Sequence, residues 1–201
     1  MLVSFWTAMA IAPRSRGDWL LENLLVVIGG LLFWRLYRKP GLSTLSCVAV
    51  AVFFAFHIYG AHYTYSEAPF GFWLRDIGDT VRNPYDRLVH FLFGLLMSWP
   101  VREAICHAAA KARHRWVCMS TVLWIAAIST FYELMEWAAM LVVAPELGIA
   151  FMGTQGDVFD AHKDSALAVF GAMLSMGLAW VAGPRFARFP LPAGKDLSGQ
   201  I

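Results

Sequence analysis

The sequence predicts an all-α protein, built as a polytopic bundle of transmembrane helices. Two observations support this prediction: 59% of the 201 residues are hydrophobic, and only 15% are charged. An ordinary soluble domain carries about 25% charged residues. The apolar residues are gathered into long runs and the mean hydropathy is +0.56, which is typical of a chain that crosses a bilayer several times.

Five apolar runs approach or exceed the ~20 residues that a helix needs to cross a bilayer. They cover approximately residues 19–37, 42–62, 87–109, 116–143 and 165–183. Pro100, Arg102 and Glu103 interrupt the third run, but a proline inside a membrane helix is tolerated with a kink. We therefore expect five full spans.

The first twelve residues are also apolar, but they are too few to cross a bilayer. We expect a truncated or re-entrant helix there, and six spans if the natural start of the protein lies upstream. The five spans and this segment form one predicted bundle domain over residues 1–183. Residues 184–201 are predicted to be a cytoplasmic tail.

The orientation follows from the basic residues of the short loops. If Arg35, Arg38 and Lys39 face the cytoplasm, ten of the sixteen Lys and Arg residues lie on that side, with only two of the fourteen acidic residues. Short cytoplasmic loops carry an excess of Lys and Arg. We therefore predict a cytoplasmic C-terminus and an acidic outer face.

Alternation of the helices brings polar residues from five runs to this outer face. An ionised carboxylate at the centre of a membrane helix costs roughly 2.5–3.5 kcal/mol, so a chain that keeps several must pair them, bind an ion with them or move a solute past them. The acidic and imidazole groups inside or against the apolar runs are His57, His90, Glu133, Glu136, Asp160 and Asp164. Asp18, Glu22, His62, Asp86 and Asp157 flank the same face.

The spacing of these residues suits a shared site. Asp86 and His90 are four residues apart and Glu133 and Glu136 are three apart, so each pair shares one helix face. The aspartates at 157, 160 and 164 form a single stripe if their helix begins by Gln155. A structural interpretation of each group stays open, because acids cap helix N-termini and a buried histidine is more often a hydrogen-bonded core residue.

A bound metal ion would offset the repulsion between the carboxylates of this cluster, because Arg82, Arg87 and Lys163 are too few to pair with every acid. Imidazole and carboxylate together suit Zn, Fe or Mn rather than Ca or Mg. The Glu-x-x-His pattern of helix-bundle di-metal proteins does not occur. The candidate ligands are His57, His62, Asp86, His90, Asp157, Asp160 and Asp164.

Two outer loops border the cluster. The loop over residues 63–86 is too long for a simple connector, and its aromatic residues suit either an interfacial anchor or a lid. Arg82 and Arg87 could hold a phosphate or carboxylate. Gln155, in the GTQGD segment at 153–157, offers a donor and an acceptor. These three are the candidate substrate-binding residues, although the GTQGD glycines equally suit a plain turn.

Several segments together resemble the YjdF family of bacterial inner-membrane proteins. They are HIYGAHYTY at 57–65, PFG at 69–71, RNPYDRLVHF at 82–91, YELMEW at 132–137 and GTQGDVFDAHKD at 153–164. The resemblance covers about residues 10–183 and implies a multi-helix inner-membrane protein, without implying a particular reaction. The family usually has a full helix before the position of Pro13.

Three functions stay open at this point. The first is a metal-dependent hydrolase or lipid-modifying enzyme at the outer leaflet, with Glu133 or Glu136 as general base. The second is a binding or assembly protein whose polar residues only fix the helix packing. The third is an ion- or proton-coupled transporter, which the lack of matching polar residues in the cytoplasmic half disfavours.

The expected partners are the lipid bilayer and a lipid headgroup or small anionic ligand, and no nucleic acid is expected. The three cysteines, Cys47, Cys106 and Cys118, have no metal-ligand spacing, and no disulfide is expected between them.

Overall fold

The structure, a computed structural model, describes residues 1–38, 42–142 and 154–183. Within these ranges it contains seven α-helices and no strand, and five helices are long and apolar enough to cross a membrane. The prediction of an all-α bundle with five spans and a short N-terminal helix is therefore confirmed. The helices are α1 (Leu2–Met9), α2 (Arg16–Arg38), α3 (Thr44–His62), α4 (Pro69–Gly78), α5 (Tyr85–Ala108), α6 (His114–Met140) and α7 (Asp160–Ala182).

Helix boundaries follow from local capping. Ser43 precedes α3, and its hydroxyl accepts the backbone N–H of Ser46, as an N-cap residue does. Pro69 is the first residue of α4, where its missing N–H costs nothing. Pro100 lies inside α5, which continues to Ala108, so the proline does not end the span.

The start of the last span differs from the predicted one. The last span begins at Asp160 rather than near residue 165, and Asp157 lies in the turn that precedes it. The three aspartates therefore do not form a single helical stripe, because only Asp160 and Asp164 are helical. Residues 143–153 and the predicted tail at 184–201 lie outside the described residues.

Helix α5 lies at the centre of the bundle and contacts α3, α4, α6 and α7. Its closest approach is to α7, where Gly94 and Gly171 let the two backbones meet. A Cβ atom on Gly94 would overlap the carbonyl oxygen of Ala168, and one on Gly171 would overlap that of Phe91. Small residues at such crossings are typical of helix packing in membranes.

Among the described residues, the buried core has three clusters. One lies between α3, α5 and the segment after α3, where Phe53, Ile58 and Tyr85 pack together. The second lies between α5, α6 and α7, around Ile125 and Ala172, and the third joins α6 to α7 around Cys118. Large apolar side chains on the outer surfaces, such as Leu31 of α2 and Leu123 of α6, are exposed. In a bilayer these side chains face lipid.

Polar groups are also buried near the other end of α5, contrary to the expectation that the cytoplasmic half lacks them. Arg102 is 1% exposed and Glu103 is 7% exposed. Glu103 accepts the backbone N–H of Ser43 at 2.9 Å and also the Ser43 hydroxyl. This carboxylate therefore joins α5 to the start of α3, which gives it a structural role.

Candidate functional site

Three carboxylates meet where α5 and α7 begin. Asp86 lies in the first turn of α5, Asp160 is the first residue of α7, and Asp164 lies one turn further along α7. One oxygen of each lies within 4.8 Å of the others. Asp160 is 5% exposed and Asp164 is 2% exposed. We call Asp86, Asp160 and Asp164 the carboxylate trio.

Basic side chains neutralise only one edge of this site. Arg82 forms an ion pair with Asp160, and its Nη1 lies 3.8 Å from Asp157. Arg87 pairs with Asp157, and Lys163 donates to the same carboxylate at 2.6 Å. All three cations therefore lie within 4.0 Å of Asp157, and both arginines also lie within that distance of Asp160. Among the described residues, Asp86 and Asp164 form no ion pair with a Lys or Arg.

Asp157 is held ionised by these contacts. The hydrogen bond from Lys163, the backbone N–H of Phe159 and the Arg87 guanidinium together lower the pKa of Asp157 to about 2. Burial alone would lower the pKa of the Arg82 guanidinium, but its hydrogen bond with Asp160 outweighs this effect and raises that pKa. The outer edge of the site is therefore a fixed array of charges.

The trio itself keeps unused acceptor capacity. Among the described residues, the Oδ1 atom of Asp164 has no hydrogen-bond partner although it is fully buried. The same holds for Oε1 of Glu133 and for the Nε and Nη2 atoms of Arg82. Buried polar groups in native proteins are nearly always paired. These unused atoms identify a place where a bound group would complete the hydrogen bonding.

His90 connects the trio to α6. Its Nε2 atom lies 3.6 Å from Oδ1 of Asp86 and 3.4 Å from Oε1 of Glu133. Neither distance is that of a good hydrogen bond, so the imidazole nitrogen stands between two carboxylates without a close contact to either. A small side-chain movement would bring it to a ligand placed beside Asp86.

A cavity of about 60 Å³ lies beside the trio, between α2, α3, α5 and α6. Asp86 and His90 line it from α5, and Glu22, His57 and Glu136 line it from the other helices. We call it the Glu22 cavity. Because Asp86 belongs to both the trio and this wall, the two sites are neighbours.

Hydrogen bonds hold the walls of the Glu22 cavity in place. Tyr132 donates its hydroxyl to Glu22 at 3.0 Å, and Nε2 of His57 donates to the backbone carbonyl of Glu22 at 3.1 Å. The Tyr65 hydroxyl hydrogen-bonds Nδ1 of His57. Burial raises the pKa of Tyr65 well above its usual range, so the phenol keeps its proton. Both ring nitrogens of His57 are therefore occupied.

The structure places the remaining predicted site residues apart from the trio. His62 donates Nδ1–H to the carbonyl of Met9 at 2.8 Å and faces α1. Gln155 bonds the backbone of Asn83 twice, accepting its N–H at 2.9 Å and donating to its carbonyl at 3.0 Å. This pair of bonds fastens the turn at 154–157 over the segment that carries Arg82.

Sequence reasoning did not assign Glu22, Tyr65 or Tyr132 to the site. The sequence places Glu22 only at the outer face, and it includes Tyr65 only among the aromatic residues of the 63–86 loop, as an anchor or part of a lid. The structure buries Tyr65 instead. Tyr132 is four residues before Glu136, a spacing that places both on one helix face. That spacing was the available signal for a second group of residues on α6.

Comparisons with known proteins identify the family. A family model described as "Predicted membrane protein (DUF2238)" matches residues 1–185. The inner membrane protein YjdF of Escherichia coli (strain K12) is 31% identical over 166 residues, which is 83% of this chain and 79% of that protein. No solved structure matches the chain. The resemblance to the YjdF family is thereby confirmed, and the chain belongs to the DUF2238 family of predicted membrane proteins.

Proposed function

We propose that this membrane protein is a metal-dependent hydrolase that acts on a phosphate-bearing lipid headgroup at the outer face of the inner membrane. The observation that carries the proposal is the carboxylate trio, in which Asp164 is buried with an unpartnered oxygen. The excess of Lys and Arg in the opposite loops supports the outward orientation of this site.

The charge of the trio favours a divalent cation. Three carboxylates share one small volume, and of these three the guanidinium groups of Arg82 and Arg87 form ion pairs only with Asp160. Like charges at this separation repel strongly in a low-dielectric region. Two ligands of one first-row metal ion lie at most about 4.4 Å apart, since each is about 2.0–2.2 Å from the ion. Side-chain rotations that move the carboxylate oxygens by a few tenths of an ångström would therefore bring all three within reach of one ion.

The donor set indicates which ions to consider. Three carboxylate oxygens and the nearby imidazole of His90 suit Mn, Fe or Zn. Mn²⁺ is the first candidate, because oxygen-rich sites with few nitrogens match its preference.

The chemistry follows from the groups around the trio. A bound divalent ion lowers the pKa of a water molecule, which makes water a nucleophile. Glu133, with its free Oε1 atom, accepts the proton as the water oxygen bonds to phosphorus. The bond from phosphorus to the headgroup alcohol then breaks, and the alcohol oxygen receives the proton. The Nε and Nη2 atoms of Arg82 form a free fork for a phosphate oxygen pair.

Metal titration tests the ligand set. The purified full chain is stripped with a chelator in nonionic detergent and titrated with Mn²⁺, Zn²⁺ and Fe²⁺. We expect one ion per chain, and at least ~10-fold weaker binding in Asp164→Asn and Asp86→Asn, since each removes a charged ligand. Asp76→Asn, an exposed acid of α4, is the matched control and keeps wild-type affinity.

Headgroup release from vesicles of phosphatidylethanolamine and phosphatidylglycerol tests the reaction. Glu133→Gln should lower the rate by ~10²–10⁴-fold, the usual contribution of a general base, while metal binding is retained. Thermal melting first establishes that the wild type and Asp164→Asn are both folded. If the folded wild type then binds no more metal than folded Asp164→Asn, the proposal is excluded.

A structural polar core is the second candidate, and the ion pairs of Arg82, Arg87 and Lys163 favour it. In that case Asp164→Asn and Glu133→Gln change the melting temperature and leave metal content and headgroup release at wild-type levels.

A further inference from the structure

The Glu22 cavity differs from the trio in the side chains that surround it. Glu22, Asp86 and Glu136 contribute three carboxylates, and among the described residues no Lys or Arg lines the cavity. Phe53 and Phe93 form part of the apolar wall. Glu22 is buried, and Asp86 and Glu136 are half-buried. Carboxylates withdrawn from water are costly unless they are paired with a positive charge, and these three have no Lys or Arg beside them in the cavity wall.

A second observation points to an absent ligand. Ser129 lines the cavity from α6, is 2% exposed, and its hydroxyl has no hydrogen-bond partner within the described part of the chain. A buried hydroxyl is expected to find a partner. The unpartnered hydroxyl and the carboxylates therefore border the same space, which can hold only a few non-hydrogen atoms.

We infer that the Glu22 cavity binds a small primary ammonium group. Three N–H donors match the carboxylates and the Ser129 oxygen, and the apolar side chains of Phe53 and Phe93 in the wall suit the carbon atoms attached to the ammonium group. A metal ion fits less well, because both nitrogens of His57 are already bonded. Among the described residues, only the trio brings three ligand atoms together.

If the proposed hydrolase function holds, the position of Asp86 also indicates which substrate the enzyme prefers. Asp86 borders both the trio and the cavity. A headgroup with its phosphate at the trio and an ammonium a few bonds away would occupy both sites. The preferred substrate class is then an amino-alcohol phosphate ester, rather than an uncharged or purely anionic headgroup.

Calorimetric titration of ethanolamine into the purified full chain in nonionic detergent, near neutral pH, tests the ammonium site. We expect saturable binding by the wild type, no binding of the uncharged analogue ethylene glycol, and weaker binding of choline, which lacks N–H donors. Glu136→Gln and Glu22→Gln should each weaken ethanolamine binding about 10–100-fold, because each removes a charge-assisted hydrogen bond. Ser129→Ala should weaken it by a smaller factor.

Two controls separate this inference from the metal site. Asp164→Asn removes a ligand of the trio but no group of the cavity, so it should lose metal and keep its ethanolamine affinity. Asp76→Asn should keep both affinities. If the wild type binds ethanolamine but no metal, the hydrolase proposal is rejected and the ammonium site is supported.

The inference is overturned if folded wild-type protein shows no saturable ethanolamine binding, or binds it as well after both glutamates are replaced. Repeating the titration in nanodiscs distinguishes the source of the ammonium group. Weaker apparent binding in phosphatidylethanolamine than in phosphatidylglycerol supports a lipid headgroup as occupant, and equal binding supports a free amine.

Discussion

Three aspartates within eight residues have different environments, and the difference is set by their neighbours. Asp157 lies in a turn and receives Lys163, Arg87 and a backbone N–H. Asp160 pairs with Arg82, whereas Asp164 is buried with an unpartnered oxygen. Paired carboxylates in a turn stabilise the fold, and an unpaired buried one costs free energy unless it binds a ligand. The first aspartate therefore serves the fold, and the last is the better candidate for binding.

The pKa of Asp157 predicts a pH-dependent contribution to stability. Its folded pKa of about 2 lies below the unfolded value of about 3.9, so ionised Asp157 stabilises the fold fully above about pH 4, and this contribution is lost as the pH falls towards 2. We expect Asp157→Asn to lower the melting temperature in detergent near neutral pH. The difference from wild type should be much smaller at pH 2 than at neutral pH.

Asp76→Asn is the reference for that series, since Asp76 is exposed and, within the described ranges, forms an ion pair only with its neighbour Arg75 in α4. It should change the melting temperature little at any pH. A deficit of Asp157→Asn that is as large at pH 2 as at neutral pH would contradict the assignment.

The crossing of α5 and α7 decides where the acidic residues of these helices meet. Gly94 and Gly171 let the two backbones touch, and Ala168, Ala172 and Ser175 continue a small-residue surface along α7. Asp86 and Asp164 lie two turns from this contact on their own helices. The distance between these carboxylates is therefore tied to how closely the glycines allow the helices to approach.

Gly94→Ala should destabilise the bundle, because its Cβ would overlap the backbone oxygen of Ala168, an atom that cannot rotate away. Overpacking of this kind costs typically 1–3 kcal/mol, and Gly171→Ala should behave in the same way. Reversible unfolding in mixed detergent micelles would measure the loss. We also expect weaker metal binding, since the trio would be spread apart.

Gly177→Ala is the matched control on α7, because a Cβ at that position meets no atom within 4 Å. Alanine has the higher helix propensity, so this variant should be as stable as the wild type or slightly more stable. If Gly94→Ala and Gly177→Ala are equally stable, the backbones of α5 and α7 do not approach each other closely at Gly94.

At the scale of the whole molecule, one end of the bundle carries the carboxylate trio and the Glu22 cavity, while the lateral surface is apolar. The ends of α3 and α6 and the starts of α2, α5 and α7 share the polar end, as the contacts from Glu22 to His57 and Tyr132 show. This arrangement predicts a pocket that opens on one side of the membrane. The helix α4, with Phe72 and Trp73 exposed, lies beside that end and suits the headgroup level.

Labelling of single cysteines in intact cells tests the orientation. In a background with Cys47, Cys106 and Cys118 replaced by Ala, we expect Asp76→Cys to react with a membrane-impermeant maleimide. Lys111→Cys, in the turn between α5 and α6, should react only after the membrane is permeabilised. The reverse pattern would place the trio at the cytoplasmic face and contradict an outer-leaflet substrate.

The sequence by itself determined the number of spans, the alternation of the helices and the set of polar residues at one end. These follow from hydropathy and length alone, because a bilayer requires about 20 apolar residues for each crossing. It also supplied Asp86, Asp160, Asp164 and His90 as candidates for one site. It did not separate them from His62, which shares the same end of the bundle and faces α1.

Only the tertiary structure decided which of these residues share a point in space. Hydropathy does not specify the rotation of a helix about its axis or its depth against a neighbour, and both depend on packing contacts such as Gly94 on Ala168. Tertiary packing also brings Glu22 of α2 to Tyr132 of α6 across 110 residues of sequence. A local pattern carries no information about such a distant pairing, which is why the cavity emerged only from the folded chain.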